Sequence, residues 1–483
     1  MTTHKTLLSL LCTLFIATIG GSCISDEDFP TPAGAKFRLS VDTIDLDTVI
    51  THTASATRKL TLYNDNSDGL SITAVTIEGD DPAQFLANVD GNAISSTSGN
   101  QLSIDCRGKD SLIAFVQFNA KDNDQNQAVE SKAKLVFTLA NGVRQSVTLI
   151  GYSLDAIVLS GRIVADNTTL DATRPYVVND SLVVAEGATL TLAPGTTLLF
   201  RPEAYLKVYG TLLANGTLEQ PVTMRGHRLD NMFEHQPYDR INNQWQGVVF
   251  TTSSYDNRLN YCDIHSGRWG IRCDSSDVTR RKLTLENSIV HNTKQDVLTL
   301  VSTQAFVGNS QLTNAEGNCI TVYGGDAQFI HCTVASFSPF TAARGNALVF
   351  YNTLNGQPCP INRLEFANSI ITGYASDEIF AYTDEEVACN YAFHSCLLCT
   401  PEITDNADVY GNLWEDPKDS LTRARTFVPF DLPALFYDFR LSADSKARGL
   451  ADPAVTQLYY PLDRLGRERK PSADAGCYQY AEE

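Results

Sequence analysis

The densest group of side chains able to recognise a ligand lies between Met224 and Trp245: Arg225, Arg228, Asp230, Tyr238, Asp239, Arg240 and Trp245. Arginine forks match carboxylates bidentately. Flat aromatic faces suit sugar rings, and aspartates accept from hydroxyls. Trp269, in Gly267-Arg268-Trp269-Gly270, follows one repeat later and could share that face. The same composition suits a loop that covers an apolar flank and is held by Arg–Asp pairs, so two readings stand, binding surface and cover. Other candidates for chemistry are weaker. His227, His235 and His265 are separated by 8 and 30 residues, match no compact metal site and read as solvent-facing. Cys396 and Cys399 form a CxxC with no second CxxC to complete a zinc site. Asp263 and Glu286 fall in different columns of the repeat described below. Asp296 and Asp377 share a column with Asn318 and Asn346, which suits a turn ladder. The expectation is therefore no catalytic residue, no metal and no cofactor.

The element that must carry these residues is an internal repeat beginning near Ile157. A Ser/Cys column runs Cys262, Ser288, Ser310, Cys332, Ser369 and Cys396, at steps of 26, 22, 22, 37 and 27 residues. An apolar position precedes each (Leu259, Leu285, Val307, Phe329, Phe366, Phe393) and another follows (Ile264, Val290, Leu312, Val334, Ile371, Leu398). A further column comprises Ile271, Leu298, Ile320, Leu348 and Ile379. A rung this short cannot bury an apolar face alone, so rungs must stack. Stacking predicts inward ladders of Leu, Ile and Val. It also predicts asparagines at left-handed turns that bond to the next rung, and a small Ser or Cys where the coil bends. The step of 37 predicts an outward loop near Pro339 to Asn346 or Asn355 to Asn362. On this register Ile320 points inward and Thr321 outward.

Residues 36–155 read differently. Leu60 to Leu62, Ile72 to Ile77, Leu112 to Phe118 and Leu135 to Leu139 alternate with period two. Asn141-Gly142 then marks a hairpin into Val147 to Leu149. The spacing predicts a β-sandwich, with no cluster of catalytic type in it.

The start of the chain bears on compartment. Lys5 is followed by an apolar run from Leu7 to Ile19, too short to span a bilayer comfortably. Gly20-Gly21-Ser22-Cys23 then resembles the lipobox of bacterial lipoproteins, although the usual leucine is replaced by Gly20. The resemblance implies that residues 1–22 are a signal peptide and that Cys23 is lipidated. The acidic run Asp26-Glu27-Asp28 resembles the surface-export signal of Bacteroidota lipoproteins. Residues 23–35 read as an acidic, proline-containing linker. The implied location is the outer membrane, lipid-anchored and surface-exposed. The ten cysteines beyond Cys23 permit disulfides in an exported protein, but ladder packing of buried thiols suits them better. The formal net charge of −19 argues against nucleic acid as a partner.

Two further resemblances complete the reading. Asp42 to Val49, Leu60 to Asn64 and Lys109 to Ser111 resemble the immunoglobulin-like domain of Bacteroidota β-helix lipoproteins. Val183 to Phe200, Leu206 to Gly216, and the closing stretch Phe439 to Tyr478 resemble right-handed parallel β-helix proteins of the pectate-lyase type. The implied fold is all-β: a β-sandwich over 36–155, then a right-handed parallel β-helix solenoid over 156–483. That fold hosts many functions. The signatures of polygalacturonases (Asn-Thr-Asp, Asp-Asp, Gly-His-Gly, Arg-Ile-Lys) are absent from residues 156–483. The expected function is binding of polysaccharide, host glycan or envelope material without catalysis. A polysaccharide lyase or glycoside hydrolase is the alternative, and a structural envelope component a third.

Overall fold

The computed structural model describes residues 29–98, 101–233, 235–419, 423–469 and 471–482. Cys23 and the expected signal sequence lie outside the described residues. The chain divides into two compact units. One comprises residues up to 123 together with 128–153, and the other comprises 124–127 with 154 onward.

The first unit is a sandwich of two five-stranded sheets. Strict alternation drives it. In Ser111–Phe118 every second residue (Leu112, Ala114, Val116, Phe118) is buried. These meet Leu135, Phe137, Val147 and Leu149 of the other sheet in one core. Val129–Leu139 and Arg144–Leu154 pair antiparallel across the predicted Asn-Gly turn, where Gly142 has φ 83°.

The second unit is a parallel β-helix. Twenty-six strands between Ile157 and Trp414 form one continuous wound sheet. The columns read from the repeat are the columns of the structure. Leu259 pairs with Leu285, then Val307, Phe329, Phe366 and Phe393 follow in register. Ile264, Val290, Leu312, Val334, Ile371 and Leu398 form a second ladder. Ile271, Leu298, Ile320, Leu348 and Ile379 form a third. All of these side chains are buried in one core. At the bend, the residue before each Ser or Cys adopts left-handed backbone, with φ between 46° and 52° at Tyr261, Asn287, Asn309, His331, Asn368 and Ser395. Asparagine tolerates that conformation best, and here it does a second job. Asn309 Nδ2 donates to Asn287 Oδ1, and Asn287 Nδ2 to Asn260 Oδ1, each at 2.8 Å. The Ser/Cys column closes the ladder: the Cys262 amide donates to Ser288 Oγ, that of Ser288 to Ser310 Oγ, and that of Cys332 to Ser369 Oγ.

The step of 37 residues contains two outward excursions, a loop after Ser336 and a small hairpin pairing Thr353–Leu354 with Gln357–Pro358. The ten cysteines from Cys106 to Cys477 are unpaired thiols, nine of them buried. Burial pushes Cys396 and Cys399 up to about 12, far from the ionised form a metal or redox centre would use.

Thr321 departs from expectation. It points away from the helix interior, yet it is buried, receiving Asn318 Nδ2 at 3.0 Å. Facing outward does not mean facing water, because parts of the outer surface are themselves covered. One such cover is the C-terminal segment. Phe427, Phe439, Leu441, Ala475, Cys477 and Tyr478 pack on Ala335, Phe337, Ile370 and Leu397.

Candidate functional site

One outer face of the β-helix carries the strands Val222–Gly226, Cys262–His265, Ile289–Thr293, Gln311–Ala315 and Thr333–Ser336, paired in that order. Alternation sends Ile264, Val290 and Leu312 inward. Asp263 and His265 therefore point outward from one strand, and His291, in register with His265, points outward from the next. Further along, the C-terminal segment seals the face: Gln311, Thr313 and Thr333 are all buried, and Tyr478 donates its hydroxyl to Gln311 Oε1 at 2.8 Å. The 225–245 excursion rises on the other side. It reaches the C-terminal segment through Arg240, whose guanidinium donates to the Ala434 carbonyl at 2.6 Å and lies 4.9 Å from the Phe436 ring. Between these two covers, over the Asp263 and His291 rungs, a cavity of about 460 Å³ stays open.

Its wall is mainly apolar, from Ile289, Leu435, Phe436, Phe439 and Leu465, with charged groups set into it. Asp239, Arg240, Asp263, His265 and His291 meet Phe436, Tyr437, Asp438 and Arg440 there. Asp438 and Arg440 form a bidentate pair, with Nη2 to Oδ2 at 2.6 Å. Asp263 Oδ1 lies 2.8 Å from His265 Nδ1 and 3.2 Å from His291 Nε2, and the two imidazole rings are 4.8 Å apart. Burial works to raise the Asp263 carboxyl, but contact with the two imidazoles outweighs it and holds the group well below the usual carboxylate range. Burial also lowers His265, against the opposing pull of Asp263. His265 is only 6% exposed, and its Nε2 has no hydrogen-bond partner. Among the described residues these three side chains are the one group able to converge on a metal ion.

The residues singled out from sequence divide into four sets. Asp239 and Arg240 line the cavity. Arg225, Arg228, Asp230 and Tyr238 pack within the excursion. Arg225 reaches Asp239 at 3.3 Å. Arg228 chelates Asp230 and stacks 4.0 Å over the Tyr238 ring. Asp230 is buried, while the Arg228 side chain remains 35% exposed. Trp269 is half-buried, in the turn beyond His265, and is not part of the cavity wall.

Trp245 corrects the sequence reading. It is 1% exposed, stacks on Phe200 with centroids 4.1 Å apart, and donates its indole N–H to the His265 carbonyl at 2.8 Å. No sugar ring can reach it. The bridge between Trp245 and Gly267 makes this residue part of a rung rather than of a loop, so its ring enters the core.

The histidines need correction too. His235 is exposed, as expected, but His227 is half-buried, with burial and the neighbouring Arg201 and Arg228 lowering it to about 4. His265 is buried and has a partner that sequence reasoning overlooked. His265 and His291 are 26 residues apart, the same step as Cys262 to Ser288. That coincidence was the available signal, since one rung step places two side chains side by side. Asp438, Arg440 and Tyr478 gave no comparable signal.

No protein-family model matches the chain. Protein bark beetle of Drosophila melanogaster is 34% identical over 83 residues, which make up 17% of this chain and 3% of that protein. The chain thus spans a small fraction of that relative. Among solved structures, the Agl-KA catalytic domain is 9% identical, with 70% of this chain and 75% of that one covered at a TM-score of 0.27. The ASH/PapD-like domain of human CEP192 is 11% identical, with 26% and 89% covered at a TM-score of 0.18. Likenesses this slight decide neither architecture nor activity.

Proposed function

We propose that this chain is a surface lipoprotein, anchored to the outer membrane through Cys23, whose β-helix binds a glycan without transforming it. The observation that carries the reading is the cavity between the excursion and the C-terminal segment. It stands on a rigid sheet, has the size of a small-ligand site, and offers carboxylates, guanidiniums and the Phe436 ring together. Such a lining suits sugar hydroxyls and, through Arg240, an acidic sugar carboxylate. The alternative, hydrolysis, needs one carboxyl group held protonated as an acid and a second as base or nucleophile. Here Asp239 is paired with Arg225, Asp438 with Arg440, and Asp263 with two imidazoles. Carboxylates matched in this way serve recognition better than proton donation.

The test is a glycan array of neutral and acidic oligosaccharides, followed by calorimetry and product analysis on each hit. Arg240→Ala is expected to weaken binding tenfold or more with no product formed. Shortened or unsaturated products would establish the enzyme reading instead, and unchanged affinity in Arg240→Ala would remove the cavity as the site. Anchoring has its own test: Cys23→Ala is expected to move the protein from the membrane to the soluble fraction, and continued membrane association would refute the anchor.

A further inference from the structure

We infer that Asp263, His265 and His291 bind a divalent transition metal, zinc being the best match, at the wall of this cavity. The inference is separate from the glycan reading and stands without it.

Two observations support it. The first is placement. The donors come from adjacent rungs of a β-helix, where backbone pairing fixes strand spacing and register. A site on paired strands is held more accurately than one on loops. The second is distance. A metal about 2.0–2.2 Å from each ligand requires donor atoms roughly 3–3.5 Å apart. Asp263 Oδ1 is 2.8 and 3.2 Å from the two histidine nitrogens, and one ligand atom from each of the three residues falls within 4.8 Å of the others. The donor atoms, spread over up to 4.8 Å, must close by roughly 1 Å for one ion to meet all three, a movement on the scale of a side-chain rotation.

Ligand chemistry selects the ion. Two imidazoles and one carboxylate suit zinc and its neighbours, whereas calcium and magnesium prefer oxygen-only sets. Local charge does not oppose a cation. Asp239, Asp263 and Asp438 balance Arg225, Arg240 and Arg440 in and beside the cavity. Three protein ligands leave at least one coordination position open toward the cavity, the arrangement of zinc sites that exchange a water or a ligand. The competing explanation is that Asp263 merely bridges two stacked imidazoles.

Binding of Zn²⁺ to the untagged full chain, by equilibrium dialysis and by calorimetry, separates the two. One Zn²⁺ per chain is expected, with a rise in Tm as Zn²⁺ is added, because an ion that binds only the folded state stabilises it. His291→Ala and Asp263→Asn are expected to lose at least tenfold in affinity and to lose the rise in Tm. His291 is partly exposed, so its removal leaves the core intact. Co²⁺ added to the unaltered protein supplies a readout independent of the variants, a visible absorption band that Zn²⁺ displaces. No stoichiometric binding and no Co²⁺ band, or variants that bind Zn²⁺ as tightly as the unaltered chain, would overturn the assignment.

Discussion

Replacing Trp245 with alanine should unfold part of the β-helix rather than merely empty a binding site. The indole is 1% exposed, and the ring lies against Phe200 at 4.1 Å. Deleting a buried aromatic side chain costs about 3–5 kcal/mol. That range already includes much of the stacking, worth about 0.5–1.5 kcal/mol. The indole N–H bond to the His265 carbonyl adds about 1 kcal/mol. A loss of about 4–6 kcal/mol follows. Trp245→Phe keeps the apolar ring but loses the donor, and should cost about 1–2 kcal/mol. Arg228→Ala removes a side chain that is one-third exposed but strands the buried Asp230 carboxylate, and should cost about 1–3 kcal/mol. Urea denaturation followed by far-UV circular dichroism ranks the three. A Trp245→Ala protein within about 1 kcal/mol of the unaltered chain would refute the burial argument and the rung register that places Trp245 beside Gly267.

Two other perturbations probe the scaffold. Ile320→Asp should cost several kcal/mol, because it buries an unpaired carboxylate in the ladder, whereas the exposed, outward Arg258→Asp should change stability by no more than about 0.5 kcal/mol. Similar denaturation midpoints for the two would sink the proposed register. Burial pushes the Glu415 carboxyl up to about 7 despite a hydrogen bond from Thr372 and the charges of Arg423 and Lys446. The folded state therefore keeps this proton between about pH 4.5 and 7 while the unfolded chain has lost it, so stability falls as pH rises through that window. Glu415→Gln should consequently gain up to about 3 kcal/mol at pH 8 and little at pH 4.5. An equal effect at both values would show that the carboxyl titrates normally.

The sequence by itself determined the scaffold. A parallel β-helix stacks each rung on the one before, so a contact between rungs appears in the chain as a recurrence after one rung length. Leu259 to Phe393, Ile264 to Leu398 and Ile271 to Ile379 were legible for that reason, as was the Ser/Cys ladder. The left-handed asparagines were legible because few residue types tolerate their backbone. In the sandwich, period-two alternation and one Asn-Gly turn did the same work at shorter range.

Only the tertiary structure decided the site. Its walls come from Asp239 and Arg240, from Asp263, His265 and His291, and from Phe436, Asp438, Arg440 and Tyr478. These are joined by the fold of the C-terminal segment back over an outer sheet face, and no sequence period encodes that return. Alternation told which side chains leave the helix interior but not which of them meet water. Thr321 was assigned outward and is buried. Trp245 was assigned to a loop and belongs to a rung. His265 was assigned to solvent and is held against Asp263 and His291. The Trp245 ring meets Phe200 and the His265 ring meets His291, residues distant in sequence, and pattern within a strand carries no information about them.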